Sequence, residues 1–346
     1  MATIADVAKR AGVSMMTVSR VINKSDHVSE ITTKKVNQAI RELKYRPNMV
    51  ARGLVTRHTR MIAYVVSNLA NPFFAAVSTG IQNVCAEKGY TMIVFDITNA
   101  ERFEECRETL VARRIDGVVF HHLNVQQTHI DTLRANGICC VTIDNEIDLE
   151  CVTSIESDDY SAAAMATRHL IELGYQRIGC VHGQYDDSFI KKEKRLDYTQ
   201  LFQRRIWRNR TDGFLDEMRK ASLTPVCMIE GRGSADIAFA ADETCLKQVF
   251  DAAEPPCALY CQNDILGLAV LSEALRRKLS VPQDIAIIGH DGLDFAMELY
   301  PRLTTVCQPR YDMGTLSARS LIDAIENKSP TVHIMTESKI VRGDTT

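Results

Sequence analysis

A chain of 346 residues with 45% apolar and 25% charged content suits two or three compact units with a sizeable core, which excludes a disordered or fibrous protein. No window approaches 18 consecutive apolar residues, and Met1–Asp6 lacks a basic run followed by an apolar stretch, so neither a membrane span nor a secretory signal is expected. Charge is uneven: residues 1–60 hold 12 Lys and Arg against 4 Asp and Glu, a net of +8, while residues 61–346 hold 29 against 40, a net of −11. A basic head on an acidic body points to a polyanion-binding module joined to something else.

In chain order, Thr3-x-x-Asp6 with apolar Ile4, Val7, Ala8 and Ala11 predicts a short capped helix that Gly12 ends. Ser14 and Thr17 are placed to cap a second helix with an apolar face of Val18, Val21 and Ile22. Ser29 opens a third, with Val36, Ala39, Ile40 and Leu43 on one side. Two short helices around a Gly-containing turn, braced by a third, form the helix-turn-helix plan, whose second helix enters the major groove. Met15, Met16 and Arg20 then point outward. Arg20 is the candidate for a bidentate contact to guanine, and the two methionines suit thymine methyls. Thr17, Ser19, Asn23, Ser29, Thr32 and Lys34 are placed for phosphates or caps, which position without specifying. A three-helix protein-binding head is the plain alternative.

Pro47 stops the third helix, and Asn48 is placed to cap a further turn or two. A segment of about eight residues with Gly53 inside is too short for an isolated helix, so it is expected to fold only against a partner chain and DNA. Leu54, between Arg52 and Arg57, suits a minor-groove wedge, with a plain tether as the alternative.

From Met61 the body alternates apolar strand runs (61–66, 90–95, 117–120, 138–143) with helical patterns. A second such unit starts near Tyr160, with strands at 178–181, 226–229, 257–261 and 285–289. Parallel sheets in two doubly wound lobes follow, with a ligand cleft at the carboxyl ends of the strands. Gly231-Arg232-Gly233-Ser234-Ala235-Asp236 starts like a dinucleotide fingerprint, but Asp236 stands where a third glycine is required. His121-His122 lack a visible third ligand, and eleven scattered cysteines read as small buried hydrophobes in a reducing cytoplasm. No cofactor, no metal and no catalytic residue is expected.

Thr3-Ile4-x-Asp6-Val7-Ala8, Ala11-Gly12-Val13-Ser14, Thr17–Asn23 and Tyr45-x-Pro47-Asn48-x-x-Ala51-Arg52-x-Leu54 resemble the DNA-binding head of the lac repressor/galactose repressor family of bacterial transcription regulators. In the body, Asn71-Pro72-Phe73-Phe74, Arg210-x-x-Gly213-Phe214, Asn263-Asp264, Gly289-His290-Asp291 and Tyr300–Pro309 resemble the same family, so the similarity spans nearly the whole chain. The resemblance implies DNA contacts from Thr3, Ser14, Met15, Met16, Thr17, Ser19, Arg20, Asn23, Ser29, Asn48, Ala51, Arg52 and Leu54. It implies an effector cleft with Phe73 and Phe74 as lining, Arg210 and Asn263 bonding effector hydroxyls and Asp291 closing the site. Trp207 is a further candidate for stacking or for anchoring its segment. Three departures stand out: Gly183-Gln184 replaces a Gly-Pro, 27 positions separate Gly183 from Arg210, and Gly292 stands where many members have a second acidic or amide residue.

The expected organisation is a helix-turn-helix domain over 1–46, a hinge helix over 47–58, and a two-lobed, periplasmic-binding-protein-like α/β domain over 59–346. Its first lobe takes about 60–160 and 308–330, and its second about 161–307 and 331–346. The expected function is a cytoplasmic, nucleoid-associated repressor, not an enzyme, binding a pseudo-palindromic operator in double-stranded DNA as a homodimer under control of a small-molecule effector, a sugar or sugar derivative. The alternatives are a corepressor-dependent regulator answering a nucleobase or a phosphorylated partner, a sugar-binding transport protein, and a sugar-acting enzyme.

Overall fold

The computed structural model describes residues 2–22, 28–45, 58–97, 100–183, 204–231, 243–327 and 329–346, with residues 100, 204 and 243 described by backbone alone. Two compact units divide the chain, Met1–Thr59 and Arg60–Thr346.

In the first unit α1 (Ile4–Ala11) opens on a reciprocal cap. The Asp6 N–H donates to Thr3 Oγ1 at 3.3 Å, and the Thr3 N–H donates to the Asp6 carboxylate at 2.8 Å. Gly12 closes α1 at φ 69°, where a β-carbon is unfavourable. In α2 (Met15–Ile22) the Thr17 N–H donates to Ser14 Oγ at 3.1 Å, and in α3 (Glu30–Glu42) the Thr32 N–H donates to Ser29 Oγ at 3.3 Å. The core is Val7, Ala8, Val18, Val21, Val36 and Ala39. With so small a core, caps at about 1 kcal/mol each are a substantial share of the stability.

The described residues of the second unit form two six-stranded sheets. In chain order its elements are β1 (Met61–Val66), α4 (Pro72–Lys88), β2 (Thr91–Asp96), α5 (Ala100–Ala112), β3 (Gly117–His121), α6 (Gln127–Ala135), β4 (Cys139–Ile143) and β5 (Thr153–Ser157). The second lobe then begins with α7 (Asp159–Glu172), β6 (Ile178–His182), α8 (Arg204–Lys220), β7 (Met228–Glu230), α9 (Glu243–Ala252), β8 (Cys257–Cys261), α10 (Asp264–Arg276), β9 (Ile285–Asp291), α11 (Asp294–Glu298) and β10 (Thr304–Cys307). The chain ends with α12 (Arg310–Asn327), β11 (His333–Thr336) and β12 (Lys339–Val341).

The first sheet runs β11-β5-β4-β3-β1-β2 and is parallel throughout. The second runs β12-β10-β9-β8-β6-β7 with only β12 antiparallel. Helices on both faces bury strands on both sides, hence runs such as Ile62–Val66 and Ile285–Asp291 without an exposed residue. Among the described residues the chain passes between lobes three times, at Ser157–Asp159, Cys307–Arg310 and Thr336–Lys339. These crossings are tied together: Ser157 Oγ donates to Gln308 Oε1 at 2.6 Å, and Thr336 Oγ1 donates to the Glu156 carbonyl at 3.1 Å.

This placement corrects one boundary. Residues 333–336 belong to the first lobe, because α12 leaves the chain beside the open edge of β5 and Ile334 pairs in register with Ile155. Only Lys339–Val341 returns to the second sheet. The α12–α4 contact closes at two glycines: a β-carbon on Gly80 would stand 2.3 Å from the Tyr311 carbonyl oxygen, and one on Gly314 would stand 2.1 Å from that of Val77. All eleven cysteines are among the described residues. None is in a disulfide, seven are buried and Cys151 is exposed.

Candidate functional sites

On α2, Val18 and Val21 face the core, which turns the opposite side outward. Met15 is 55% and Met16 65% exposed, and Arg20 is exposed beside them. Thr3, Ser14 and Ser29 act through their side-chain oxygens as helix caps, and Ser14 Oγ also lies 2.9 Å from Thr17 Oγ1. Ser19 is half-buried. Asn23, Asn48, Ala51, Arg52 and Leu54 lie outside the described residues, as do the inserted segment 184–203 and residues 232–236 of the dinucleotide-like run.

In the second unit the polar groups converge at the carboxyl ends of β3, β4, β5, β8 and β9. His122, Asp144 and Asp291 there adopt positive φ (52°, 47° and 114°), a left-handed conformation that costs a non-glycine residue energy and clusters at functional sites. Arg210, on α8, is buried. Its Nε donates to Asp159 Oδ1 at 2.7 Å, and its Nη1 donates to the Gln262 carbonyl and to Asp291 Oδ1, the latter at 3.3 Å. Gln308 Nε2 adds a bond to the same Asp291 oxygen at 3.1 Å.

Burial pushes the Asp159 carboxyl up to about 6, although Arg210 beside it opposes the rise, and burial raises Asp291 as well. Asp264 is enclosed, accepting from the Leu293 N–H at 2.6 Å and the Thr305 hydroxyl at 2.5 Å. Burial, with Asp291 nearby, pushes it up to about 8.

Several expected lining residues have other work. Phe74 is fully buried and packs edge-on against His121 with ring centres 4.8 Å apart, so it is core rather than lining. Phe73, 3% exposed, stacks on His122 at 5.7 Å. Asn263 caps α10, its Oδ1 accepting from the Leu266 N–H at 2.7 Å. Trp207 anchors: a β-carbon on Gly183 would stand 2.1 Å from its indole ring, so the ring lies flat on the end of β6, and Arg210 packs over it at 5.6 Å. That contact explains the glycine.

Sequence reasoning missed Asp144, Asp159 and Arg205. Asp144 follows the apolar run of β4 as Asp291 ends that of β9, and the strand-end rule applied evenly would have found it. Arg205, on α8 of the second lobe, spans to the first. It donates to Asp148 Oδ1 at 2.9 Å, to Glu156 Oε2 at 3.1 Å and to the Asn145 carbonyl at 3.3 Å, while its backbone N–H lies 3.1 Å from Glu146 Oε2. From the first lobe, Arg310 on α12 reaches the Gly292 carbonyl and, at 3.0 Å, Asp294 on α11.

Among the described residues six buried side-chain polar atoms have no hydrogen-bond partner. Five of them (Ser67 Oγ, His121 Nε2, His122 Nδ1, Gln262 Oε1 and His290 Nε2) stand at the carboxyl ends of β1, β3, β8 and β9. Buried groups seldom go unpaired, so these five stand out among the described residues. No described helix is long and apolar enough to cross a membrane.

Residues 3–48 match the family described as bacterial regulatory proteins, lacI family, and residues 167–346 match a periplasmic binding protein-like domain. The chain is similar to the HTH-type transcriptional repressor PurR of Aliivibrio salmonicida (strain LFI1238), 33% identical over 332 residues that cover 95% of this chain and 93% of that one. It is also similar to the HTH-type transcriptional repressor CytR of Escherichia coli (strain K12), 30% identical with coverages of 99% and 96%. Among solved structures, a transcriptional regulator CelR-cellobiose complex is 27% identical with a TM-score of 0.69 and full coverage of both chains. The lac repressor dimer bound to operator and the anti-inducer ONPF, 24% identical, shares the fold at a TM-score of 0.80, with 100% of this chain and 99% of that one covered.

Proposed function

The chain belongs to the lacI family of bacterial regulatory proteins, a DNA-binding transcriptional repressor with an effector domain, and from that premise we propose how it reads DNA and what controls it. Met15, Met16 and Arg20 read base edges in the major groove, while Thr3, Ser14, Thr17, Ser19 and Ser29 set the helices and the backbone contacts that position them. The observation that carries this is the exposed face of α2 over a fully packed Val18 and Val21, in a head of net charge +8. One head covers one half-site, so the protein works as a twofold dimer on a pseudo-palindrome, with Asn48, Ala51, Arg52 and Leu54 as the hinge between.

The effector is a sugar or sugar derivative held at the strand ends. Asp159 and Asp291, propped apart by one guanidinium, are acceptors for neighbouring hydroxyls, and the unpartnered polar atoms of Ser67, Gln262 and His290 supply further bonds. The similarity to a regulator solved with cellobiose supports this class. A nucleobase is the second reading, favoured by the flat Phe73–His122 pair. Binding changes the relation of the lobes and thereby operator affinity, and operator must change effector affinity by the same factor.

Selection of duplexes from a random pool with purified protein, followed by a thermal-shift screen of sugars, sugar phosphates and nucleobases, tests both parts. A pseudo-palindromic consensus is expected, with Arg20→Ala losing about 1–3 kcal/mol of discrimination at one base pair per half-site. A uniform loss across all sequences would reduce Arg20 to a phosphate contact. A midpoint raised only by nucleobases would replace the sugar.

A further inference from the structure

We propose that His121, His122 and Asp144 form a binding site for a divalent transition-metal ion, Zn²⁺ or a chemical neighbour, in the first lobe. The three stand on adjacent strands, His121 ending β3 and Asp144 directly following β4, and all are buried. One ligating atom from each lies within 4.8 Å of the others, and His122 Nε2 is 3.4 Å from Asp144 Oδ2. Ligands of a tetrahedral zinc, at roughly 2.0–2.2 Å from the metal, stand about 3.3 Å from one another. One pair is already at that spacing, and the third residue needs a shift of about 1 Å or more to join it.

A packing role alone does not explain the polar atoms. His121 Nε2 is buried without a hydrogen-bond partner. Two of the three have an outer-shell bond of the kind metal ligands keep. Tyr64 Oη lies 2.7 Å from His121 Nδ1, and with that nitrogen donating, Nε2 carries the free lone pair. Asp144 Oδ1 accepts the Ser157 N–H at 2.8 Å, which orients its second oxygen. The positive φ of His122 and Asp144 turns both residues out of the strand direction at this place. Two imidazoles and a carboxylate suit zinc, and a fourth donor, a water or an atom of a molecule in the cleft, completes the shell.

Full-length protein freed of metal with a chelator is titrated with Zn²⁺ by calorimetry and with Co²⁺ by absorption spectroscopy. One equivalent per chain is expected, with cobalt d–d bands and no thiolate charge-transfer band. Such a band would betray binding at a cysteine such as the exposed Cys151. His122→Gln and Asp144→Asn should each weaken zinc binding by about tenfold or more. Asp144→Asn retains an oxygen for the Ser157 N–H, and circular dichroism of both variants shows whether the fold is kept. No uptake, a thiolate-dominated spectrum, or unchanged affinity in both folded variants overturns the proposal.

Discussion

Arg210 carries the charge balance of the cleft: one buried guanidinium faces two buried carboxylates, Asp159 and Asp291, and a main-chain carbonyl. Removing it leaves both acids desolvated without that cation, Asp291 keeping the Gln308 amide. Arg210→Ala is therefore expected to cost about 3–5 kcal/mol of stability, measured by denaturant unfolding. A loss below about 1 kcal/mol would mean the acids are neutral when folded. Asp159 and Asp264 have folded pKa values of about 6 and about 8, above the ordinary 3.8. The stability they confer is complete below the ordinary value and is lost as pH rises through the folded values. Above the ordinary histidine value of 6.5 the melting midpoint should fall as pH rises to about 8, whereas below it His121, His182 and His290, whose pKa values burial lowers, oppose the fall; Asp264→Asn, which mimics the neutral acid, should flatten the upper part. An unchanged slope in the variant would assign the dependence to other groups.

Among elements, the crossing of α4 and α12 admits no side chain at Gly80 or Gly314. Gly314→Ala forces the helices apart at Val77 and should destabilise the second unit by about 1–3 kcal/mol, read as a lower calorimetric midpoint; an unchanged midpoint would mean the crossing yields freely. The central elements were legible because their pattern is strong: β1, β8 and β9 are apolar runs, and α1 and α4 carry both caps. β5 and β12 were not. Thr153-Ser154-Ile155-Glu156-Ser157 and Lys339-Ile340-Val341 are polar or short, and they are strands because a neighbouring strand offers its edge. The same holds for Asn263, whose type suits both a ligand contact and a helix cap; only the chain's path makes it the cap.

For the whole molecule, Arg205 and Arg310 reach across between the lobes from opposite partners, α8 toward the first lobe and α12 toward the second. Burial raises the Glu156 pKa while Arg205 opposes the rise, so this pair depends on the lobes staying together. Arg205→Ala should shift the free protein toward an open arrangement, seen as a larger radius of gyration in solution scattering. It should also weaken effector binding, because closure must then be driven by the ligand alone. Identical scattering and identical affinity would show that Arg205 does not hold the lobes.

What the sequence determined by itself is whatever depends on local pattern: the capped helices of the head, the alternation of strand and helix, the charge split between head and body, and the candidate faces at Met15, Met16 and Arg20. What only the tertiary structure decided is which distant residues meet. It brought Asp144 to His121 and His122, committed Arg210 to Asp159 and Asp291, buried Phe74, and gave residues 333–336 to the first sheet. The reason is physical: a side chain's type follows from its own position, whereas its partners follow from strand order and crossings between lobes, which no local spacing encodes.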